Sequence, residues 1–213
     1  MLLLAFDTAT PVICVAVHDG SGVLARVAGE GSMAHGELLV PFIDKALREA
    51  QATMADLTDV AVGVGPGPFT GLRVGVVTAL TLGATLGLKT HGVCSLDIIA
   101  AEVAEKREFL VATDARRKEV YWARYGADCR RLEGPGVLKP ADLAARHPRL
   151  PAFGQGAALY ADVLAVASGP TDPDAGVLAD VVVAGLVEEF PLEPLYLRRP
   201  DAKPQAAQKP KPA

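Results

Sequence analysis

The chain has 213 residues, half of them hydrophobic, and a net charge of −4 from 21 Lys and Arg against 25 Asp and Glu. This composition excludes disorder for most of the chain and suits one large domain or two lobes of about 100 residues. Residues 201–213 hold three lysines against one aspartate, so the rest carries −4 − 2 = −6, which disfavours general binding of polyanions.

Cysteine spacing and apolar runs indicate where the chain resides. Cys14, Cys94 and Cys129 are an odd, widely spaced set, which fits neither a disulfide framework nor a zinc site. Asp7 ends the first apolar run too early for a signal peptide. The uncharged run from Val74 to Leu88 has 15 residues, fewer than the roughly 20 that cross a bilayer. We therefore expect a cytoplasmic protein without a membrane segment.

The first half of the chain predicts the element order βββαβαβα. Short apolar or β-branched runs predict strands, and apolar residues at helical spacing predict helices. The predicted strands are Leu2 to Phe6, Val12 to His18, Val23 to Val27, Val60 to Val64 and Thr90 to Val93. The predicted helices are Gly36 to Ala50, about Thr70 to Leu86, and Ser95 to about Lys106, with Ser95 as N-cap.

The pattern partly restarts after Arg107, because a predicted strand ends at Asp114 as the first strand ends at Asp7. The later elements are strands Phe109 to Thr113 and Glu119 to Tyr125, and helices Pro140 to Arg146, Gly156 to Val166 and Gly176 to Glu189. We predict two related α/β lobes, residues 1–106 and 107–199. Residues 200–213 are predicted to be a disordered tail, since they lack large apolar residues that could offset the entropy of ordering.

Four segments together resemble the TsaB (YeaZ) family. They are LAFDTAT ending at Thr10, GPGPFTGLRVG at Gly65 to Gly75, TDARRKEVYWA at Thr113 to Ala123, and EPLYLR at Glu193 to Arg198. The family usually has serine where this chain has Pro68. The resemblance implies a two-lobed α/β fold of the actin, sugar kinase and heat-shock ATPase type, which is a duplicated RNase H-like fold.

The resemblance also implies a function. Members of this family are non-catalytic partners of the TsaD-like catalytic subunit, and a TsaE-like ATPase joins the assembled complex. The complex places threonylcarbamoyl on N6 of adenosine 37 in tRNA, so this chain would meet tRNA indirectly. A homodimer is a further partner state that the sequence leaves open. No cofactor is expected.

The residues themselves argue against an independent enzyme. A metal-holding helix of the catalytic relative needs His-x-x-x-His, because residues four apart share a helical face. The histidines here are His18, His35, His91 and His147, so no pair has that spacing. The rival interpretations are a free-standing ATP-dependent transferase, a metallopeptidase-like enzyme, and a structural homodimer with no link to TsaD.

Two glycine positions argue against nucleotide binding. Ala9 stands where nucleotide-binding proteins of this fold type place a phosphate-loop glycine, and its Cβ obstructs close approach of a phosphate. The alternative role of this turn is structural, with Asp7 capping it. The loop from Gly65 to Gly71 lacks the Gly-Lys-Ser/Thr of a Walker A loop, and Pro66 and Pro68 remove two backbone donors.

Small residues recur every four positions in the second predicted helix, at Gly71, Gly75, Ala79, Gly83 and Gly87. Such a ridge predicts a close neighbour, which is either a partner or this chain's own sheet. The family resemblance places partner contacts on the first two helices. The predicted interface residues are His35, Leu38, Leu39, Phe42, Ile43, Leu72, Gly75, Val76, Ala79 and Gly83. Arg116, Arg117 and Lys118 are predicted either to contact a partner or tRNA or to be simply solvated.

Overall fold

A computed structural model describes residues 1–31 and 34–198 and arranges them around two β-sheets. The first sheet has six strands in the order β10-β5-β4-β1-β2-β3. Their bounds are β1 Leu3–Asp7, β2 Val12–His18, β3 Val23–Glu30, β4 Asp59–Gly63, β5 Lys89–Val93 and β10 Glu189–Phe190. Strands β1, β2 and β3 are antiparallel neighbours, and β4 and β5 continue the sheet in parallel with β1.

The second sheet has four strands in the order β8-β7-β6-β9. Their bounds are β6 Phe109–Asp114, β7 Val120–Tyr125, β8 Arg131–Leu138 and β9 Ala152–Phe153. The six α-helices of the described chain are α1 His35–Glu49, α2 Phe69–Leu86, α3 Ser95–Ala101, α4 Pro140–Arg146, α5 Gln155–Leu159 and α6 Ala175–Val183.

The two sheets share one topology. In each, three consecutive antiparallel strands are followed by a strand that pairs in parallel with the first, β4 with β1 and β9 with β6. The turn after Asp7 and the turn after Asp114 therefore occupy equivalent positions in the two halves. This arrangement confirms the predicted duplicated α/β fold.

Helices cover both faces of the first sheet, which explains the uninterrupted apolar sequence of β1. Side chains alternate between the faces of a strand. Leu4 and Phe6 pack with residues of α1 and α2, while Leu3 and Ala5 pack against α6. A central strand buried on both faces needs apolar residues at nearly every position, so it lacks the alternating pattern of a half-exposed strand.

Helix α3 joins the two halves. Leu96 and Ile99 pack with Phe109, Val111 and Tyr125 of the second sheet in one buried cluster. The end of the chain then returns to the first sheet, where β10 pairs with β5 and α6 covers one face. The boundary near Arg107 remains a prediction, and much of the segment assigned to the second lobe packs on the first sheet. The predicted tail, 200–213, lies outside the described residues.

Several element boundaries differ from the prediction. Helices α3, α5 and α6 end at Ala101, Leu159 and Val183, earlier than the sequence suggested, and Glu189 lies in β10. Strand β8 was missed because its Gly-Pro-Gly sequence suggests a chain break. It is an edge strand, where proline is tolerated because one row of its backbone donors has no partner strand.

The loop from Gly65 to Gly71, called the glycine-rich loop below, packs closely on the β1–β2 turn, and this contact can be tested at Gly67. A Cβ added at Gly67 would lie 2.2 Å from the carbonyl oxygen of Ala9, so a backbone segment would have to move. We expect Gly67→Ala to lower the free energy of unfolding by about 1–3 kcal/mol in urea denaturation. Gly22→Ala is the matched control, because nothing lies within 4 Å of its Cβ position and the change should stay within about 0.5 kcal/mol. Equal stability of both variants would contradict the close contact.

Candidate functional site

The carboxylate of Asp7 is fully buried at the end of β1 and ties three segments together. Its Oδ1 accepts a hydrogen bond from the backbone N–H of Ala9 at 2.6 Å, and its Oδ2 accepts one from the hydroxyl of Ser95 at 2.6 Å. The Ser95 oxygen in turn accepts from the backbone N–H of Gly65 at 3.1 Å. Burial raises the pKa of Asp7, while the Ser95 and Ala9 hydrogen bonds oppose that rise.

This arrangement confirms the structural role considered for Asp7 and corrects the role predicted for Ser95. Helix α3 starts at Ser95 itself, after Cys94, and no side chain caps it. The Ser95 hydroxyl is directed to Asp7 instead of the helix N-terminus. Sequence alone favoured a cap because serine before an apolar helical run is a frequent N-cap.

The glycine-rich loop fills the space beside the β1–β2 turn. The Gly67 backbone lies against Ala9, and the hydroxyl of Tyr121 in β7 approaches the Gly67 carbonyl at 3.4 Å. The gap between the two equivalent turns has a volume of about 10 Å³. It is lined by Ala9, Thr10, Pro11, Pro68, Thr113, Asp114, Arg116 and Gln155. That volume is at the lower limit for one water molecule and far below the several hundred Å³ of small-ligand pockets.

His35 starts α1 but cannot share an ion with a second histidine one turn later. Its Nε2 lies 2.9 Å from the carbonyl oxygen of Thr10, so the ring donates a hydrogen bond there. The residue four positions on is Leu39, which is 1% exposed in the core. Within residues 1–31 and 34–198, no three His, Cys, Asp or Glu side chains are grouped to hold a metal ion.

Most of the predicted interface residues face this chain's own core. Those that are buried are His35, Leu39, Ile43, Leu72, Gly75, Val76 and Ala79, whereas Leu38, Phe42 and Gly83 are partly exposed. A Cβ at Gly75 would lie 2.4 Å from Oγ1 of Thr8, and one at Gly83 would lie 2.5 Å from Cγ2 of Thr90. Gly75 and Gly83 therefore pack against the β1–β2 turn and the first sheet of this chain, whereas nothing lies within 4 Å of a Cβ at Gly87. Partner contacts through the buried atoms would need α2 to lift from that sheet.

The opposite faces of the same two helices expose large aliphatic side chains. Val40 of α1 is 59% exposed, and Val77 and Leu80 of α2 are 57% and 47% exposed. We call these three residues the outer helix face. Around it α1 carries surface ion pairs, Asp44 with Arg48 and Lys45 with Glu49. Helix α2 is also long and apolar enough to cross a membrane by length and composition, a property it shares with core helices of other proteins.

The β6–β7 turn presents the three cations in an unusual backbone conformation. Arg116, Arg117 and Lys118 have φ of 60°, 55° and 61°, and all three are exposed. Residues with a Cβ adopt the left-handed region at a cost of about 1–2 kcal/mol each, and glycine or asparagine usually occupies it. The Asp114 carboxylate accepts from the backbone N–H of Arg116 at 2.8 Å and also pairs with its guanidinium.

Residues 193–198 connect this turn to the start of α2. The Arg198 guanidinium donates to the carbonyl oxygen of Ala115 and pairs with Glu119. Two residues earlier, the Tyr196 ring stacks on Phe69 with 4.9 Å between centroids, and its hydroxyl accepts from Nε of Arg73 at 2.6 Å. The segment Gly65 to Gly75 therefore contacts each of the other three segments that carried the family resemblance, although the four are distant in sequence.

Comparison with known proteins identifies the family. The family model for TsaD, the tRNA N6-adenosine threonylcarbamoyltransferase, matches residues 15–187. The chain belongs to this family. A Mycobacterium tuberculosis protein of uncharacterized function is 46% identical over 96% of this chain and 95% of its own. Within the family, the tRNA threonylcarbamoyladenosine biosynthesis protein TsaB of Escherichia coli is 34% identical over 66% of this chain and 63% of its own.

A solved structure of YeaZ from Pseudomonas aeruginosa has a TM-score of 0.73 and 26% sequence identity to this chain. The match covers 92% of this chain and 99% of that one. These likenesses confirm the predicted membership of the TsaB (YeaZ) group and the predicted fold class. They also show that the family includes the catalytic TsaD, so membership alone does not decide whether this chain catalyses transfer.

A larger cavity elsewhere was missed by the sequence analysis. It has a volume of about 630 Å³ between α3, the β7–β8 turn and the end of α6. In its wall, Asp97 accepts a hydrogen bond from the hydroxyl of Tyr125 at 2.7 Å and lies 3.5 Å from Nε of Arg131. Burial raises the pKa of Asp97. No local pattern predicts this cavity, because three segments far apart in the chain form it.

The buried Asp7 carboxyl predicts a dependence of stability on pH. Because its pKa is higher in the folded than in the unfolded chain, the folded chain keeps the proton over a pH range in which the unfolded chain releases it. As pH rises above about 3.9, the pKa of an unperturbed aspartate, this group therefore lowers the free energy of unfolding. The decrease is at most about 1.4 kcal/mol per pH unit. Asp7→Asn should remove that dependence, and urea denaturation between pH 4 and 7 would measure it.

Asn can still accept from Ala9 through its oxygen and donate to the Ser95 oxygen, so we expect it to fold. Asp162→Asn, which changes an exposed aspartate of the second half, is the control. An unchanged pH dependence in Asp7→Asn would contradict a raised pKa at this position.

Proposed function

We propose that this protein is a non-catalytic partner subunit in tRNA N6-threonylcarbamoyladenosine (t6A37) synthesis, and that it binds a TsaD-like catalytic subunit. The narrow gap between the two turns carries the proposal, because a volume of about 10 Å³ leaves no room there for a nucleotide or an acyl donor. The name of the Escherichia coli relative supports the same process. Leu39, at the position of a second metal ligand, gives further support.

The outer helix face is the surface that we propose for the catalytic partner. Isolated exposed apolar residues are common, but three large aliphatic side chains exposed on two adjacent helices suit contact with a partner. The charged rim of α1 suits an interface with an apolar centre and a polar edge. A second copy of this chain could cover the same face, so homodimer and heterodimer would exclude each other there.

The remaining parts of the proposal concern the assembled complex. A TsaE-like ATPase would join it, and tRNA would be bound by the complex as a whole. A cytoplasmic location agrees with three free cysteines, two of which, Cys14 and Cys94, are buried.

A charge on the outer helix face tests the proposal. Leu80→Glu would place an unpaired carboxylate at the centre of the interface, and glutamate is a good helix former, so the fold should persist. We expect binding to the TsaD-like subunit to weaken by at least about 30-fold, which corresponds to roughly 2 kcal/mol. Isothermal titration calorimetry would measure the affinity. Mass spectrometry of t6A in tRNA from cells relying on the variant would measure the consequence.

Leu159→Glu is the matched control, since Leu159 is also an exposed helical leucine, 57% exposed, but on α5 of the second half. It should bind as the unchanged protein does. Equal binding by both variants would reject the outer helix face. Threonylcarbamoyl transfer by the purified chain alone would reject the non-catalytic role.

A further inference from the structure

The three cations of the β6–β7 turn occupy a conformation that their own residue types disfavour. Arg116, Arg117 and Lys118 are successive left-handed residues, and each carries a Cβ. Because all three are exposed, burial of their side chains cannot compensate for the strain. Strained backbone persists only where the surrounding structure holds it, and it is concentrated at functional sites.

The surrounding structure holds the turn in place. The backbone N–H of Ala115 donates to the carbonyl of Glu119 at 3.0 Å, and the N–H of Glu119 donates to the carbonyl of Arg116 at 3.0 Å. The Asp114 carboxylate and Arg198 brace it from either side. The cations are thus displayed on a fixed backbone, which reduces the entropy cost of binding a ligand.

The geometry of the turn selects the kind of ligand. Successive residues of a left-handed turn project about 100° apart, as in the mirror image of a right-handed helix. Side chains that leave the backbone in different directions suit several separate negative charges better than one small anion. Diverging cations match negative charges that are spaced along a polymer, as in a nucleic-acid backbone.

We propose that residues 116–118 contact the phosphate backbone of RNA bound to the complex. This inference rests on the proposed function, in which the substrate of the assembled complex is a tRNA. The rest of the chain is acidic overall, which favours contact of a polyanion at this cationic turn. Arg198 contacts the turn, and Tyr196 contacts the first turns of α2. RNA bound at the turn would therefore lie beside helices α1 and α2.

Glycine substitutions in the turn remove a positive charge without lowering the stability of the fold, so they test the contribution of that charge to RNA binding. In Arg117→Gly and Lys118→Gly, glycine tolerates the left-handed conformation, so the melting temperature should stay unchanged or rise by up to ~4 °C. RNA binding should weaken, and the slope of log Kd against log salt should fall by about 0.7–0.9 for each phosphate that is no longer neutralised. The measurement uses fluorescence anisotropy of a tRNA transcript with the full chain in its complex with the TsaD-like subunit, at several salt concentrations.

Arg149→Gly is the matched control, because Arg149 is another exposed arginine in the left-handed region, with φ of 68°. It loses the same charge and relieves the same kind of strain, but its RNA affinity and salt slope should not change. Unchanged RNA binding by both turn variants, or an equal loss in Arg149→Gly, would overturn the proposal.

Complex formation is measured separately, so the two proposals can fail independently. If the turn variants lose the TsaD-like subunit but retain RNA affinity, the turn binds protein and the RNA assignment is wrong. If the unchanged chain forms no complex, the proposed function fails, and the same salt series with the isolated chain still tests the RNA contact.

Discussion

The arrangement of the first half depends on the hydrogen bonds that the buried carboxylate of Asp7 accepts. A carboxylate without water must have its oxygens satisfied by donors, and here the donors come from the β1–β2 turn and from Ser95. Because Ser95 also accepts from Gly65, one buried group fixes the end of β1, the glycine-rich loop and the start of α3. Glycine at position 63 is part of the same constraint, since a Cβ there would overlap the carboxylate.

This packing also sets the size of the gap between the two equivalent turns and the orientation of α2. With the glycine-rich loop in contact with Ala9, that gap is reduced to about 10 Å³. Helix α2 follows the loop directly, so its small-residue side is pressed on the sheet and its aliphatic side faces outward. The narrow gap between the turns and the outward-facing aliphatic side of α2 thus have one structural cause.

The two halves share a topology, but the turns that follow their first strands differ in their surroundings. Asp7 and Asp114 end equivalent strands, but Asp7 is enclosed, whereas Asp114 is partly exposed and supports a turn of three cations. The difference comes from the neighbouring segments. The glycine-rich loop and α3 cover the first turn, while residues 196–198 brace the second from one side and leave its side chains accessible.

The sequence by itself determined the local elements and the family resemblance. Apolar runs located β1, β2, β4 and β6, and helical spacing located α1 and α2, because these signals depend on neighbours along the chain. Which face of α2 is buried could not be predicted, since the helix is apolar nearly all round and a helical pattern does not identify its neighbour. The edge strand β8 escaped for a related reason, because Gly134 and Pro135 favour a break unless a sheet edge accommodates them. The partnership of Asp7 with Ser95, 88 residues apart, and the convergence of the four segments were decided by tertiary structure, since they depend on which distant surfaces the fold brings within hydrogen-bond distance.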